Sequence, residues 1–319
     1  MSTDTEMLRL SELLRTGDVA SRQLALTELA DSLDEGALEP LLAAARDVDP
    51  TVRELAIGLL DELGDPRGIG AIVTALGDES ERVRQAATAA VRDNRLPEAV
   101  DLLLANLTHA RADVRAASVA GLREHRAPHT ELPLLSLLHD DAAEVRGQAV
   151  VALGYLRSEG SIPALRERLR DRDPVVRRLA IGALDYARTH EVRLGLLELL
   201  EDGDWRVRAD ASKQLARHGD KAAAAGLAGL LGDAEWQVRK EAAVALGDVL
   251  AVEHAPKLLP LLDDSVPDVR RAAATALAAL RATFASDRLQ RLLQDPDSEV
   301  IKAARRALVT LSSSQRAPH

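Results

Sequence analysis

Histidine is the residue type in this chain best suited to metal binding or proton transfer near neutral pH. Four of its eight histidines fall close together, at His109, His125, His129 and His139. His109 and His139 fall at the opposite end of their helices from His125 and His129, roughly 18 Å away, so no ion can be shared by all four; His125 and His129 alone could contact one, and two ligands make a weak site. Solvated loop residues are the expected role for all four. His190-Glu191 is the one His-Glu dipeptide. The absence of cysteine excludes disulfides, thiolate catalysis and Cys-ligated zinc or iron–sulfur centres. No Gly-rich phosphate loop, G-x-S-x-G elbow or Ser/His/Asp pattern is present. The sequence assigns no catalytic residue, no cofactor and no metal.

A second chemistry is better represented. The chain has two Trp, two Tyr and one Phe, and four of these five are paired at one interval: Trp205 with Trp236, and Tyr155 with Tyr186, each 31 residues apart. The cations Arg178, Arg206, Lys213 and Lys240 lie in the same stretch. Large aromatics beside basic side chains are the material of binding hot spots, so these eight residues form the candidate partner-binding set.

The interval that pairs the aromatics organises the whole chain. Valine recurs every 31 residues from Val52 to Val300, and arginine follows it from Arg53 to Arg270 before Ile301 breaks the series. Ser21-Arg22 falls in the same frame, giving ten repeats. A fixed period of this length marks a solenoid, in which each unit buries its apolar face against its neighbours. Within residues 158–188, Ile162, Leu165 and Leu169 form one helical stripe, helix A. Asp173-Pro174 then supplies an N-cap and first-turn proline, and Val176, Ala180, Ala183 and Leu184 form the stripe of a second helix, helix B. The unit is a helical hairpin, and the fold class is an all-α solenoid. One domain over residues 1–312 is expected, with cap hairpins at 3–33 and 282–312 and a flexible tail at 313–319. Glu6, Arg9, Glu12 and Arg15 should face outward on the first cap, and Lys302, Arg305 and Arg306 on the last.

Aspartate stands five residues before the valine at Asp47, Asp78, Asp140, Asp171, Asp202, Asp233, Asp264 and Asp295. With the arginines it makes two parallel rows of opposite charge, and an arginine fork can satisfy carboxylate and backbone acceptors together.

The grammar D-x-D-P-x-V-R-x-x-A-x-x-A-L-G, clearest in Asp140–Gly154 and Asp233–Gly247, resembles HEAT repeats, specifically the short form of phycobilisome-lyase-type HEAT proteins, over residues 3–312. The resemblance implies a right-handed superhelix, reads the Asp and Arg rows as a structural tie between neighbouring turns rather than as a phosphate-binding row, and places the exposed side of helix B on a concave surface. On that side lie Gly147, Val151, Gly154, Gly182 and Val244. Acidic residues (Asp31, Glu54, Asp61, Glu62, Glu124) precede basic ones (Arg178, Arg206, Lys213, Arg217, Lys240, Arg271), so a polarised groove is expected. A HEAT-like deoxyhypusine hydroxylase would need several His-Glu pairs and is excluded.

The reading is therefore a non-catalytic protein-binding scaffold or accessory chaperone, acting as a monomer or as a subunit of a hetero-complex. A bilin or tetrapyrrole lyase or chaperone is the first alternative. Nucleic-acid binding through the basic C-terminal half is the second, disfavoured by a net charge of −10 and a pI near 5.4. Met1 to Leu10 lacks the apolar run of a signal peptide or membrane anchor, and a cytoplasmic location is expected.

Overall fold

The computed structural model describes residues 3–31 and 33–316, with side chains from Met7 to Ser313 except at position 32. No strand occurs among the described residues, and the chain is an α-solenoid. It divides into two compact units, residues 1–164 and 165–319. The first unit stacks hairpins from Thr3–Thr16 with Val19–Ala30 up to Glu131–Leu137 with Ala143–Leu156. The second carries helices B of the sixth to tenth repeats: Pro174–Ala183, Trp205–Arg217, Trp236–Asp248, Pro267–Ala279 and Ser298–Arg316. The last runs past residue 312, where a tail was expected. Residues 317–319 and the Glu6 side chain lie outside the described residues.

Local chemistry sets the ends of several helices B. Asp49 accepts from the backbone N–H of Thr51 and Val52 with Pro50 in the first turn; Asp173 does the same for Val175 ahead of Pro174. Such caps satisfy N–H groups that have no partner inside the helix. Two helices end at a left-handed glycine, Gly64 (φ 65) and Gly219 (φ 66), whereas the equivalent left-handed positions hold Arg126, Arg157, Leu250 and Arg281. Beyond the first repeat helices A are short, and several finish in a 3-10 turn. In the ninth repeat the whole segment Val252–Asp263 is 3-10, because Pro256 and Pro260 lack the N–H an α-helix requires.

The repeat valines and leucines fill the interior: Val52, Val83, Val207, Val238 and Val269 are fully buried, as are Leu29, Leu103, Leu196 and Leu246. Within each unit helix B packs against the next, as Trp205–Arg217 does against Trp236–Asp248, and that helix against Pro267–Ala279.

The charged rows form a ladder. Arg53 grips Asp78, Arg115 grips Asp140, Arg177 grips Asp202, Arg208 grips Asp233, Arg239 grips Asp264 and Arg270 grips Asp295. All are two-pronged, through Nε and Nη2, at 2.7 to 3.1 Å. Arg22, predicted from frame alone, holds Asp47. The third nitrogen turns inward: Arg208 Nη1 donates to the Asp202 carbonyl at 2.8 Å, while Asp202 Oδ1 accepts from the Asp204 N–H at 2.9 Å. Each rung thus ties its own A–B turn to the turn of the next repeat. One rung differs. His109 occupies the aspartate's place, its Nδ1 accepts from the Arg111 N–H at 3.1 Å, and Arg84 turns to Asp113 at 3.2 Å.

Candidate functional site

Trp205 is the first residue of its helix, placed by the Asp204 cap, and Trp236 is the first residue of the next. Both indoles are half-buried and stand at equivalent positions on two packed helices. The Arg206 guanidinium lies 4.7 Å from the Trp205 ring centroid, a distance at which the ring face attracts the cation. Tyr186 follows helix Pro174–Ala183 and is half-buried. It belongs to the opposite end of the helix-B layer from the tryptophans, about 18 Å away along a twelve-residue helix. The second unit therefore carries a tryptophan strip, and Tyr186 is not part of it. In the first unit Tyr155 is exposed in the last turn of Ala143–Leu156, with Arg123 and Arg126 at 5.2 and 5.3 Å from its ring centroid.

The expected charge gradient is weaker than the sequence suggests. Arg178 Nε donates to Asp210 Oδ2 at 2.7 Å, Lys240 pairs with Glu241 at 3.1 Å, and Arg271 pairs with Asp268 at 2.6 Å. Arg206 lies 3.7 Å from Asp204. On the acidic side Glu54 pairs with Arg82 at 3.0 Å, and Glu124 with Arg123 at 3.2 Å. Among the described residues Lys213 and Arg217 are exposed cations without an ion pair. The compensating carboxylates Asp210 and Glu241 were legible only as the acidic residues three positions past the repeat valine. Asp61 is a further acidic residue of that face, and its carboxyl is pushed up by burial and by the nearby Asp93.

Two expectations need correction. Gly147 was placed on the exposed side of helix B but is buried, like Ala116 and Ala209 at the same repeat position. Neighbouring helices close over that flank, which a single-helix projection does not anticipate. Gly182 does face open space, and Val244 is exposed. His125 is not solvated: it is half-buried, its Nε2 has no hydrogen-bond partner, and burial together with Arg95 holds its pKa below the usual histidine range. His129 and His139 are exposed. No cluster of three or more His, Asp or Glu fit to hold a metal occurs among the described residues, and no described helix is long and apolar enough to cross a membrane.

Models of HEAT repeats match residues 7–92, 38–123, 130–194, 192–265 and 255–319. No curated protein matches the sequence. The fold is shared with the crystal structure of an engineered protein, at 22% identity and a TM-score of 0.55, over 96% of this chain and 99% of that one. It is shared also with YibA of Escherichia coli, at 18% identity and a TM-score of 0.58, over 83% of this chain and 99% of that one.

Proposed function

From a chain that belongs to the HEAT-repeat family, we propose a non-catalytic protein-binding scaffold or accessory chaperone whose partner docks on the helix-B starts around Trp205 and Trp236. The observation that carries this reading is the indole pair itself: two bulky, half-exposed rings at matching positions on adjacent helices, in a chain with five aromatics. Rigid aromatics set side by side supply much contact area at small entropic cost. Arg206, stacked on Trp205, and Lys213, exposed and unpaired, supply orientation. A protein partner is favoured over nucleic acid because Arg178 and Lys240 already hold carboxylates, which leaves little uncompensated charge to attract phosphates.

The test is affinity capture from native lysate with the wild type and with Trp205→Ala/Trp236→Ala, both verified as folded by circular dichroism. A partner retained by the wild type and lost by the double variant supports the reading. If both capture the same set, the surface is elsewhere. If neither captures protein, visible absorbance with a linear tetrapyrrole and a labelled-oligonucleotide shift decide between the remaining ligand classes.

A further inference from the structure

The seventh repeat departs from the array at a buried position. Seven residues past the repeat valine, the other helices B of the second unit carry Ala183, Ala245, Ala276 and Ala307, whereas Trp205–Arg217 carries Gln214, 3% exposed. The Gln214 amide donates to Asp185 Oδ1 at 3.3 Å and lies 3.0 Å from His218 Nε2. The same His218 nitrogen is 3.4 Å from the Asp185 carbonyl. An amide replacing a methyl in a core is costly unless it is hydrogen-bonded. Here the bonds fix His218 at the helix end.

His218 forms one wall of a cleft of about 300 Å³, whose other walls are Arg188, Thr189, His190, Arg193 and Asp220. That volume is at the small end for ligand pockets. Asp220 Oδ1 accepts from the Ala222 N–H at 3.0 Å. Its side chain is 8% exposed, and its Oδ2 receives no hydrogen bond. Arg193 Nε, which has no acceptor, stands 3.6 Å from that oxygen, while Arg193 Nη2 contacts His190 Nδ1. Arg188 is exposed and makes no ion pair among the described residues. A buried acceptor and a buried donor that face each other just beyond bonding range leave room for a group that both donates and accepts. A water molecule does both, but an anion would in addition meet the charge of Arg188, which lines the same cleft.

We propose that this cleft binds a hydrogen phosphate ion, with oxygens accepting from Arg188 and Arg193 and the P–O–H donating to Asp220 Oδ2. Guanidinium forks suit tetrahedral oxyanions. Asp220 makes the site selective: inorganic phosphate retains an O–H at neutral pH, whereas sulfate has none and would set bare oxygen against a carboxylate. The assignment is independent of the tryptophan strip and stands or falls separately from it.

The experiment is isothermal titration calorimetry of the full chain at neutral pH and constant ionic strength, with sodium phosphate and with sodium sulfate. Saturable one-site binding of phosphate is expected, with sulfate at least about tenfold weaker. Arg188→Gln, on an exposed residue that cannot unfold the core, should weaken phosphate about tenfold, and Arg188→Gln/Arg193→Gln should abolish it. Asp220→Asn, which keeps the acceptor for the Ala222 N–H, should bring phosphate and sulfate to within about threefold of each other. Phosphoserine, whose monoester has largely lost its P–O–H above its second pKa of about 6, should bind more weakly than inorganic phosphate. Absence of saturable phosphate binding, equal affinity for sulfate in the wild type, unchanged binding by the arginine variants, or tighter binding of phosphoserine each overturns the proposal.

Discussion

The Arg–Asp ladder and the tryptophan strip share one 31-residue interval, yet they solve opposite problems. The ladder's forks close inside the molecule: Arg208 makes two bonds to Asp233 and one to a carbonyl of its own turn. The strip leaves its bulk half-exposed, with the neighbouring Arg206 on the Trp205 ring. Periodicity alone therefore does not separate a structural row from a binding row. What separates them is whether each repeat supplies the partner for the next. The ladder's register does so along the array, from Arg22–Asp47 to Arg270–Asp295. The tryptophans occur in two repeats only, so no continuous row of partners exists for them.

That contrast can be broken by substitution. The largest effect is expected at the ladder: Arg177→Ala removes the counter-charge and two hydrogen bonds from the Asp202 carboxylate and one from a turn carbonyl, and should destabilise the fold by about 3 kcal/mol in denaturant unfolding. The exposed Arg9–Glu28 pair gives the reference, since Arg9→Ala should cost less than about 1 kcal/mol. Equal losses would remove the ladder's special standing. Next, Trp205→Ala/Trp236→Ala should weaken the captured partner by about 2 kcal/mol, roughly 30-fold. Arg177→Ala, measured well below its melting temperature, should leave that affinity within about twofold.

The irregular rung sharpens the comparison from the other side. His109→Asp restores a carboxylate opposite Arg84, while Oδ1 can still accept from the Arg111 N–H. A gain of about 1 kcal/mol is expected by thermal unfolding; a loss would show that Arg84–Asp113 already does the same work.

The smallest effect is on pH dependence. Hydrogen bonds from Arg53, Arg115 and Arg270 hold the carboxyls of Asp78, Asp140 and Asp295 below the usual carboxylate range. A carboxyl depressed in the folded state contributes stability that is full above the unfolded pKa, about 3.9. That stability is lost as pH falls through the lower folded value. Asp61 and Asp248, raised by burial, act in the opposite sense, since acid relieves them. Arg115→Gln should therefore flatten the stability loss below about pH 4 relative to the wild type.

The repeat length, the hairpin unit, the buried valines and the ladder were all legible in the sequence, because each arises from residues that recur at one spacing and pack against copies of themselves. Arg22 was placed correctly on frame alone. The chain also fixed what is missing from it, cysteine above all. Tertiary structure decided everything that depends on which repeat lies beside which. Gly147 is covered by flanking helices, and Asp210 quenches Arg178 across a repeat boundary. It also decided that Gln214, a departure from alanine, is buried and holds His218 against the cleft of the second unit. The physical reason is common to all three. A period determines the contacts every repeat makes, whereas single departures acquire meaning only from neighbours in space, and those neighbours are set by how successive hairpins stack.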